Sequence, residues 1–153
     1  MSLKTGDPAP DFRATTGDGE TIALEDYRGR KLVLYFYPMD DTPGCTRQAC
    51  SLRDHHQEIL DRGAAVLGVS TQDSDSHRRF TEKYQLNFPL LVDSDRQLAQ
   101  AYGAIGGGLG GLARGLLGMA RRVTFIIDEQ GRIAHVIDHP DTARHGEEVL
   151  DYL

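Results

Sequence analysis

The sequence predicts an α/β fold, in which a central mixed β-sheet is flanked by helices, and two observations support this prediction. First, the segments KLVLYFY (31–37) and AAVLGVS (64–70) are short, continuously apolar and rich in strand-favouring residues, as expected of strands buried on both faces. Second, the stretch between them has apolar residues at helical spacing. A strand, a helix and a strand in this order normally place the two strands in parallel.

The helix of this unit is expected to begin after Pro43 and Gly44 and to end at Gly63. Its apolar face is formed by residues that recur at helical spacing: Ala49, Leu52, His56, Ile59 and Leu60. One long helix is therefore predicted between the two strands.

Shorter patterns predict the elements that follow. A second helix is expected over 74–84, because Asp and Ser residues that cap helix starts precede it. FPLLVD (88–93) is typical of a short strand. SDRQLAQAYG (94–103) is typical of a short helix, which Gly103 would stop.

The last third of the chain predicts a hairpin and a closing helix. RVTFIID (122–128) and RIAHVID (132–138) flank the turn sequence EQG. HGEEVLDYL (145–153) is expected to form the closing helix. The segment that ends with ETIAL (20–24) is expected to form a small hairpin or an extended cover.

This order of elements predicts a thioredoxin-like three-layer α/β sandwich with an N-terminal extension, as a single domain over residues 1–153. Within it, the segment 103–121 is apolar and dense in glycine, with Arg114 at its centre. Because glycines weaken a helix, this segment predicts a mobile loop with one helical turn rather than a membrane span. The alternative is an apolar lid or partner-docking surface beside the active site.

Composition and charge argue against a nucleic-acid-binding protein and against a secreted one. The formal net charge of −6 provides no basic excess to neutralise phosphates, which argues against a nucleic-acid partner. The opening MSLKTGDPAP lacks an apolar segment after its lysine, so we expect no secretory signal and a cytoplasmic location.

The chain has two cysteines, Cys45 and Cys50, five positions apart. In a reducing cytosol such a pair is typical of catalysis or metal binding rather than of a structural disulfide. Two cysteines alone are too few for a structural zinc site, and none of the six histidines shows ligand spacing with them. We therefore expect no metal, and the histidines receive no predicted role.

Cys45 falls in the first turn of the predicted helix, directly after a buried strand. The unpaired amide N–H groups and the positive end of the helix dipole meet at this place, and both favour a thiolate over a thiol. A thiolate there is a nucleophile that oxidises readily to a sulfenic acid. Cys45 is therefore predicted to be the reactive thiol.

Cys50 is too far along an ideal helix to bond to Cys45. Five residues of helix separate the Cα atoms by about 8.7 Å and turn the side chains roughly 140° apart, whereas a disulfide requires less than about 7 Å. If the two cysteines form a redox pair, the first turns of the helix must unwind on every turnover.

The residues PMDDTPGC (38–45) fit the P-x-x-x-T-x-x-C motif of the peroxiredoxins. YFYPMDDTPGCTRQAC (35–50) resembles the bacterioferritin-comigratory, or Q-type, branch, in which a resolving cysteine lies five residues after the peroxidatic one. The resemblance extends over nearly the whole chain: GDPAPDF (6–12), LEDYRGRKLVLYFYP (24–38), NFPLLVDSD (87–95) and RVTFIIDEQGRI (122–133) each resemble a segment of the family.

The resemblance implies a role for each residue of the motif. Cys45 would be the peroxidatic nucleophile and Cys50 the resolving thiol. Thr42 would hydrogen-bond the peroxide and the thiolate, and Pro38 would shield the sulfur from water. Arg122, in the pattern Arg-x-Thr-Phe, would hold a guanidinium beside the thiolate, with Arg121 as the shifted alternative.

Each implied role has a simpler competitor. Thr42 would be only a turn residue, Pro38 only the end of a strand, and Arg122 only a solvated charge. The neighbouring Asp40 and Asp41 are interpreted as solvated turn residues.

The resemblance further implies a thiol peroxidase that reduces hydrogen peroxide and organic hydroperoxides through a Cys45 sulfenic acid and a Cys45–Cys50 disulfide. Thioredoxin or a glutaredoxin-like protein would recycle it, without a metal, haem or flavin. Members of this branch are commonly monomeric, so we expect a monomer, with a dimer as the alternative. The competing class is a thioredoxin-fold disulfide reductase or a redox-sensing protein, against which the missing Cys-x-x-Cys counts.

Overall fold

The strongly apolar segments of the chain form the strands of one sheet. The computed structural model describes residues 3–105 and 119–153. The strands are β1 (Arg13–Thr16), β2 (Thr21–Ala23), β3 (Lys31–Phe36), β4 (Ala64–Ser70), β5 (Leu90–Val92), β6 (Val123–Ile127) and β7 (Ile133–Ile137). The helices are α1 (Pro43–Asp54), α2 (His56–Asp61), α3 (Ser74–Tyr84), α4 (Gln97–Ala101) and α5 (His145–Leu150), with a 3-10 turn at Leu24–Tyr27.

The sheet is mixed and has the strand order β2-β1-β5-β4-β3-β6-β7. The central strand β3 is parallel to β4, with Leu34 opposite Leu67, and antiparallel to β6, with Phe36 opposite Val123. The parallel β3–β4 pair is the one that the strand–helix–strand pattern predicts. The β6–β7 hairpin is present as expected.

Two apolar cores lie on the two faces of the sheet, because alternate side chains of a strand point to opposite faces. On one face, Val33 and Tyr35 of β3 pack with residues of α1, α2, α3 and α5. On the other, Leu34 and Phe36 pack with α4, the 3-10 turn and the N-terminal segment. The result is the predicted three-layer sandwich.

The N-terminal segment does more than cover the core. β1 and β2 form an antiparallel hairpin, and β1 also pairs with β5, through Thr15 and Val92. The hairpin therefore extends the sheet at one edge.

The prediction of one long helix before Gly63 was wrong. The helix is divided at His55, whose φ of −103° and ψ of 5° lie outside the helical range. The division falls where α5 approaches α1 so closely that a Cβ on Gly146 would lie 2.5 Å from the carbonyl oxygen of Ser51 and 2.6 Å from Nδ1 of His55. The second piece, α2, ends at Asp61, two residues before Gly63, which has a positive φ of 78°.

Most of the glycine-rich segment 103–121 lies outside the described residues, since these omit 106–118. The predicted loop and the alternative of an apolar lid both fall there. The single domain over 1–153 stays a prediction. Over residues 3–105 and 119–153, no helix has the length and apolar character that a bilayer crossing requires.

Candidate active site

The two cysteines follow a strand–turn–helix junction in the middle of the sheet. β3 ends at Phe36 and α1 begins at Pro43, where the missing N–H of proline costs the first turn nothing. The N-cap residue is Thr42, with an extended backbone (φ −94°, ψ 157°). Cys45 therefore lies in the first turn of α1, as predicted, at the positive end of the helix dipole.

The sulfur of Cys45 is buried beside a guanidinium. Cys45 is 1% exposed, and Nη2 of Arg122 donates to its Sγ over 3.3 Å. These residues are 77 positions apart in the chain, but Arg122 directly precedes β6, which pairs with the end of β3. Gly44 leaves room for this approach, because a Cβ there would lie 3.2 Å from Nη2 of Arg122.

The neighbouring arginine has a different environment. Arg121 donates through Nε to the carbonyl oxygen of Gly103, over 3.1 Å, and its Nη2 lies 3.5 Å from a carboxylate oxygen of Asp138. The structure therefore brings Arg122, and not Arg121, to Cys45.

Gln48 is a site residue that the sequence analysis missed. Its Oε1 accepts a 2.6 Å hydrogen bond from Nη1 of Arg122, so the guanidinium is held between a side-chain amide and the thiol. The signal was present in the sequence, because residues three apart share one face of a helix and Gln48 follows Cys45 by three. The amide nitrogen Nε2 of Gln48 is buried and has no hydrogen-bond partner among the described residues.

Thr42 and Pro38 lie in the loop that leads into α1. The hydroxyl of Thr42 donates to the carbonyl oxygen of Met39 over 3.1 Å, which closes the turn. Thr42 and Pro38 are both half-buried. This geometry places both residues next to the helix start, and their catalytic roles stay predictions.

Cys50 lies on the same uninterrupted helix as Cys45, since α1 extends from Pro43 to Asp54. Cys50 is half-buried, and both cysteines are free thiols. Ideal helix geometry therefore applies and keeps their Cα atoms about 8.7 Å apart, beyond the reach of a disulfide.

The interpretation of Asp40 as a solvated turn residue was wrong, whereas Asp41 is exposed as predicted. Asp40 is 8% exposed and accepts hydrogen bonds from Oη of Tyr37 (2.6 Å) and Oγ of Ser76 (2.7 Å). Asp41 is exposed, but its carboxylate binds Nζ of Lys83 (2.8 Å) and Oη of Tyr84 (2.6 Å). Apart from Tyr37, these partners could not be predicted from local patterns, because Ser76, Lys83 and Tyr84 lie on α3, which begins more than thirty residues later.

Asp40 also contacts a histidine, although the histidines had no predicted role. Nδ1 of His77 lies 2.7 Å from Oδ2 of Asp40, and the His77 side chain has no exposed surface. Burial raises the pKa of Asp40, but the hydrogen bonds from His77, Tyr37 and Ser76 outweigh it and hold that pKa below its usual value. Asp40 is therefore ionised at neutral pH.

The arrangement is suited to thiol redox chemistry. A cysteine at a helix start beside a fixed cation is the environment in which a thiol becomes nucleophilic, and a second free thiol on the same helix is available to resolve an oxidised sulfur. Fold and site together define the class as thioredoxin-like thiol oxidoreductases.

Comparison with known proteins narrows this class to one family. The AhpC/TSA family matches residues 5–136. Peroxiredoxin Bcp of Escherichia coli strain K12 is 42% identical over 155 residues, which cover 99% of this chain and 96% of that protein. The chain therefore belongs to the AhpC/TSA family, among the Bcp-type peroxiredoxins.

Two solved structures support the same placement. A cysteine-to-serine mutant of PrxQ from Xylella fastidiosa has a TM-score of 0.89 at 29% identity, covering 99% of this chain and 95% of that one. The bacterioferritin comigratory protein of Xanthomonas campestris, studied for its alkyl peroxide reduction activity, has a TM-score of 0.84 at 28% identity, with 96% and 95% covered. The predicted family, the thioredoxin-like fold and the activity of a thiol-dependent peroxidase are thus confirmed.

Proposed function

We propose that the chain reduces hydroperoxides with Cys45 as the peroxidatic cysteine, and that Cys50 resolves the product through an intramolecular disulfide. The observation that carries this proposal is the 3.3 Å contact from Nη2 of Arg122 to Sγ of Cys45. It supplies a fixed positive charge to a thiolate at the start of a helix that also bears the second thiol.

In the first step, the thiolate of Cys45 attacks one peroxide oxygen, an S–O bond forms and the O–O bond breaks. Cys45 becomes a sulfenic acid, and the leaving hydroxide or alkoxide takes up a proton to form water or an alcohol. Arg122 is suited to both charges, because guanidinium donors stabilise the thiolate and the developing oxyanion alike. The hydroxyl of Thr42 would turn from the oxygen of Met39 to the peroxide, while Pro38 keeps bulk water away from the sulfur.

In the second step, α1 opens and the thiol of Cys50 attacks the sulfur of Cys45. An S–S bond forms, the S–O bond breaks and one water molecule leaves. The opening is required because the intact helix keeps the two cysteines beyond bonding distance.

In the third step, a dithiol protein reduces the disulfide by thiol–disulfide exchange and becomes oxidised itself. A thioredoxin-type reductant is implied by the family, and we infer that it is thioredoxin or a glutaredoxin-like protein. Because such reductants are kept reduced in the cytosol, we also infer a cytoplasmic location.

Organic hydroperoxides are proposed as substrates together with hydrogen peroxide. The support is the alkyl peroxide reduction activity named for the Xanthomonas campestris relative. A peroxide series of increasing alkyl size tests this inference through the second-order rate constant of Cys45 oxidation.

We further propose that the protein is a monomer. Among the described residues, the exposed large apolar side chains are Met39, Leu60 and Tyr152, whereas a protein interface is marked by a large continuous apolar patch. Light scattering on the reduced and the oxidised protein distinguishes a monomer from the alternative dimer.

The decisive experiment is peroxide consumption by the purified protein with thioredoxin, thioredoxin reductase and NADPH. Cys45→Ser is expected to abolish turnover, whereas Cys50→Ser is expected to lose the Cys45 thiol to peroxide but to recycle poorly. A Cys45→Ser variant with full activity would reject the proposal. Reduction of a protein disulfide faster than of peroxide would favour the disulfide-reductase class instead.

A further inference from the structure

We propose that the buried Asp40–His77 pair is a latch that holds the loop before α1 (residues 37–42) in its peroxide-reactive position and opposes the opening of α1. The inference rests on the proposed roles of Cys45 and Cys50. Asp40 would be a positioning residue, because it acts on the sulfur of Cys45 through the loop and does not touch the reacting atoms.

The side chain and the backbone of Asp40 attach the loop to α3 and to the segment before it. Its Oδ2 accepts from Oγ of Ser76 and lies 2.7 Å from Nδ1 of His77, both in the first turn of α3. The amide N–H of Asp40 donates to Oε1 of Gln72. Its Oδ1 accepts from Oη of Tyr37 at the start of the same loop. The loop is therefore anchored where β4 passes into α3.

The geometry around His77 requires two ring protons. Nε2 of His77 lies 2.8 Å from the carbonyl oxygen of Leu91, and Nδ1 faces the carboxylate of Asp40. A carbonyl oxygen and a carboxylate are both acceptors only, so each ring nitrogen must donate. This requirement makes the contact an ion pair between an imidazolium and a carboxylate, and charge-assisted hydrogen bonds of this kind are the strong ones.

A second attachment lies at the other end of α3. The carboxylate of Asp41 binds Lys83 and Tyr84, while its backbone has a φ of 60°, which non-glycine residues adopt only when the surroundings compensate the strain. Two consecutive aspartates thus fix the loop to both ends of one helix. α1 begins two residues after the second of them.

This attachment has opposite consequences for the two chemical steps. The reaction with peroxide needs the loop in place, since it carries Pro38 and Thr42. Disulfide formation needs the start of α1 to leave the helix, and a fixed loop leaves only the residues after Asp41 free to move. Weakening the latch is therefore expected to slow the first step and to accelerate the second.

The test compares two substitutions of a buried aspartate. Asp40→Ala removes the latch. Asp93→Ala is the matched control, because Asp93 is also buried and caps α4 through the N–H groups of Leu98 and Ala99. In each, rapid-quench thiol titration gives the rate of Cys45 oxidation, measured in a Cys50→Ser background, and the rate of disulfide formation with Cys50 present.

For Asp40→Ala we expect oxidation to become about tenfold slower and disulfide formation to become several-fold faster, since a hydrogen bond to a charged group is worth roughly a factor of ten or more. Asp93→Ala is expected to change both rates little. Equal changes in the two aspartate variants, or two rates that fall together in Asp40→Ala, would overturn the latch. If instead Cys45→Ser still turns over, the proposed function fails and the latch with it.

A measurement on the unaltered chain does not depend on the folding of any variant. Nitrogen-15 NMR of the reduced protein at neutral pH is expected to show His77 with both ring nitrogens protonated. Asp40→Asn keeps the shape but removes the charge, and we expect rates between those of the unaltered chain and Asp40→Ala. An unprotonated Nδ1 on His77 in the unaltered chain would contradict the ion pair.

Discussion

At the scale of single residues, the site depends on one guanidinium whose two terminal nitrogens contact different side chains. Nη2 of Arg122 faces Cys45 while Nη1 is held by Gln48. Arginine suits this arrangement because its donors form a rigid planar fork, which the flexible ammonium of lysine cannot reproduce. The contact therefore depends on the orientation of the Arg122 guanidinium as well as on its charge.

Replacing this arginine tests that view. We expect Arg122→Lys to lower the rate of Cys45 oxidation by about 10²- to 10³-fold, the usual cost of removing one well-placed donor to a developing oxyanion. Single-turnover oxidation with hydrogen peroxide measures it. Arg121→Lys is the matched control on the adjacent residue, and its rate is expected to stay within about twofold of the original, since lysine keeps the charge and the contacts of Arg121 are to Gly103 and Asp138 rather than to Cys45. A rate in Arg122→Lys as close to the original as that of Arg121→Lys would show that Arg122 acts through its positive charge alone, and would contradict the role of its orientation.

At the scale of elements, α5 is fixed to β6 and to α1. Nε2 of His145, the first residue of α5, lies 2.8 Å from Oγ1 of Thr124 in β6, and the N–H of Gly146 donates to Oγ of Ser51. His145 faces a hydroxyl on one side and the carboxylate of Glu148 on the other. A neutral ring satisfies both, unlike that of His77, because a hydroxyl can donate.

The neutral state of His145 gives the fold a pH dependence. Burial lowers the pKa of His145 below its ordinary value, although Glu148 partly opposes this. Below about pH 6.5 the unfolded chain therefore binds a proton that the folded chain does not, so stability is lost as the pH falls. We expect up to about 1.4 kcal/mol of lost unfolding free energy per pH unit from this group.

Urea unfolding between neutral pH and mild acid measures this loss. In His145→Gln, the dependence on pH is expected to be flatter than in the unaltered chain, whereas the exposed His139 should leave it unchanged when replaced by Gln. A pH dependence in His145→Gln as steep as that of the unaltered chain would contradict a neutral, buried His145.

At the scale of the whole molecule, most helices and strands could be predicted from the sequence. The contacts between elements that are distant in the chain could be predicted only in part. Local patterns located the strand pair β3 and β4, the β6–β7 hairpin and α3, and the motif located Cys45 and Arg122. The break at His55 lies where α5 packs closely on α1, and the contacts of Asp40 with Ser76 and His77 join residues 36 and 37 positions apart. No periodicity or local spacing signals such a pairing.

The fold also explains why the site is both firm and able to open. β3, β4 and β6 lie in the centre of the sheet with nearly all side chains buried, so the frame behind Cys45 is rigid. In the first half of α1, by contrast, residues 43–48 include two buried side chains, Cys45 and Gln48, and the other four are exposed or half-buried. Regions with fewer buried contacts open at lower cost than the core.

Cys45 is proposed to react on an intact helix and to be resolved only after that helix opens. Hydrogen exchange read by mass spectrometry tests this proposal directly. The reduced protein is compared with protein oxidised by one equivalent of hydroperoxide. We predict that amides in the first half of α1 lose protection on oxidation while those of β3, β4 and β6 do not, and that Cys50→Ser, treated identically, keeps its protection. A Cys45–Cys50 disulfide formed with protection of α1 unchanged would contradict the account.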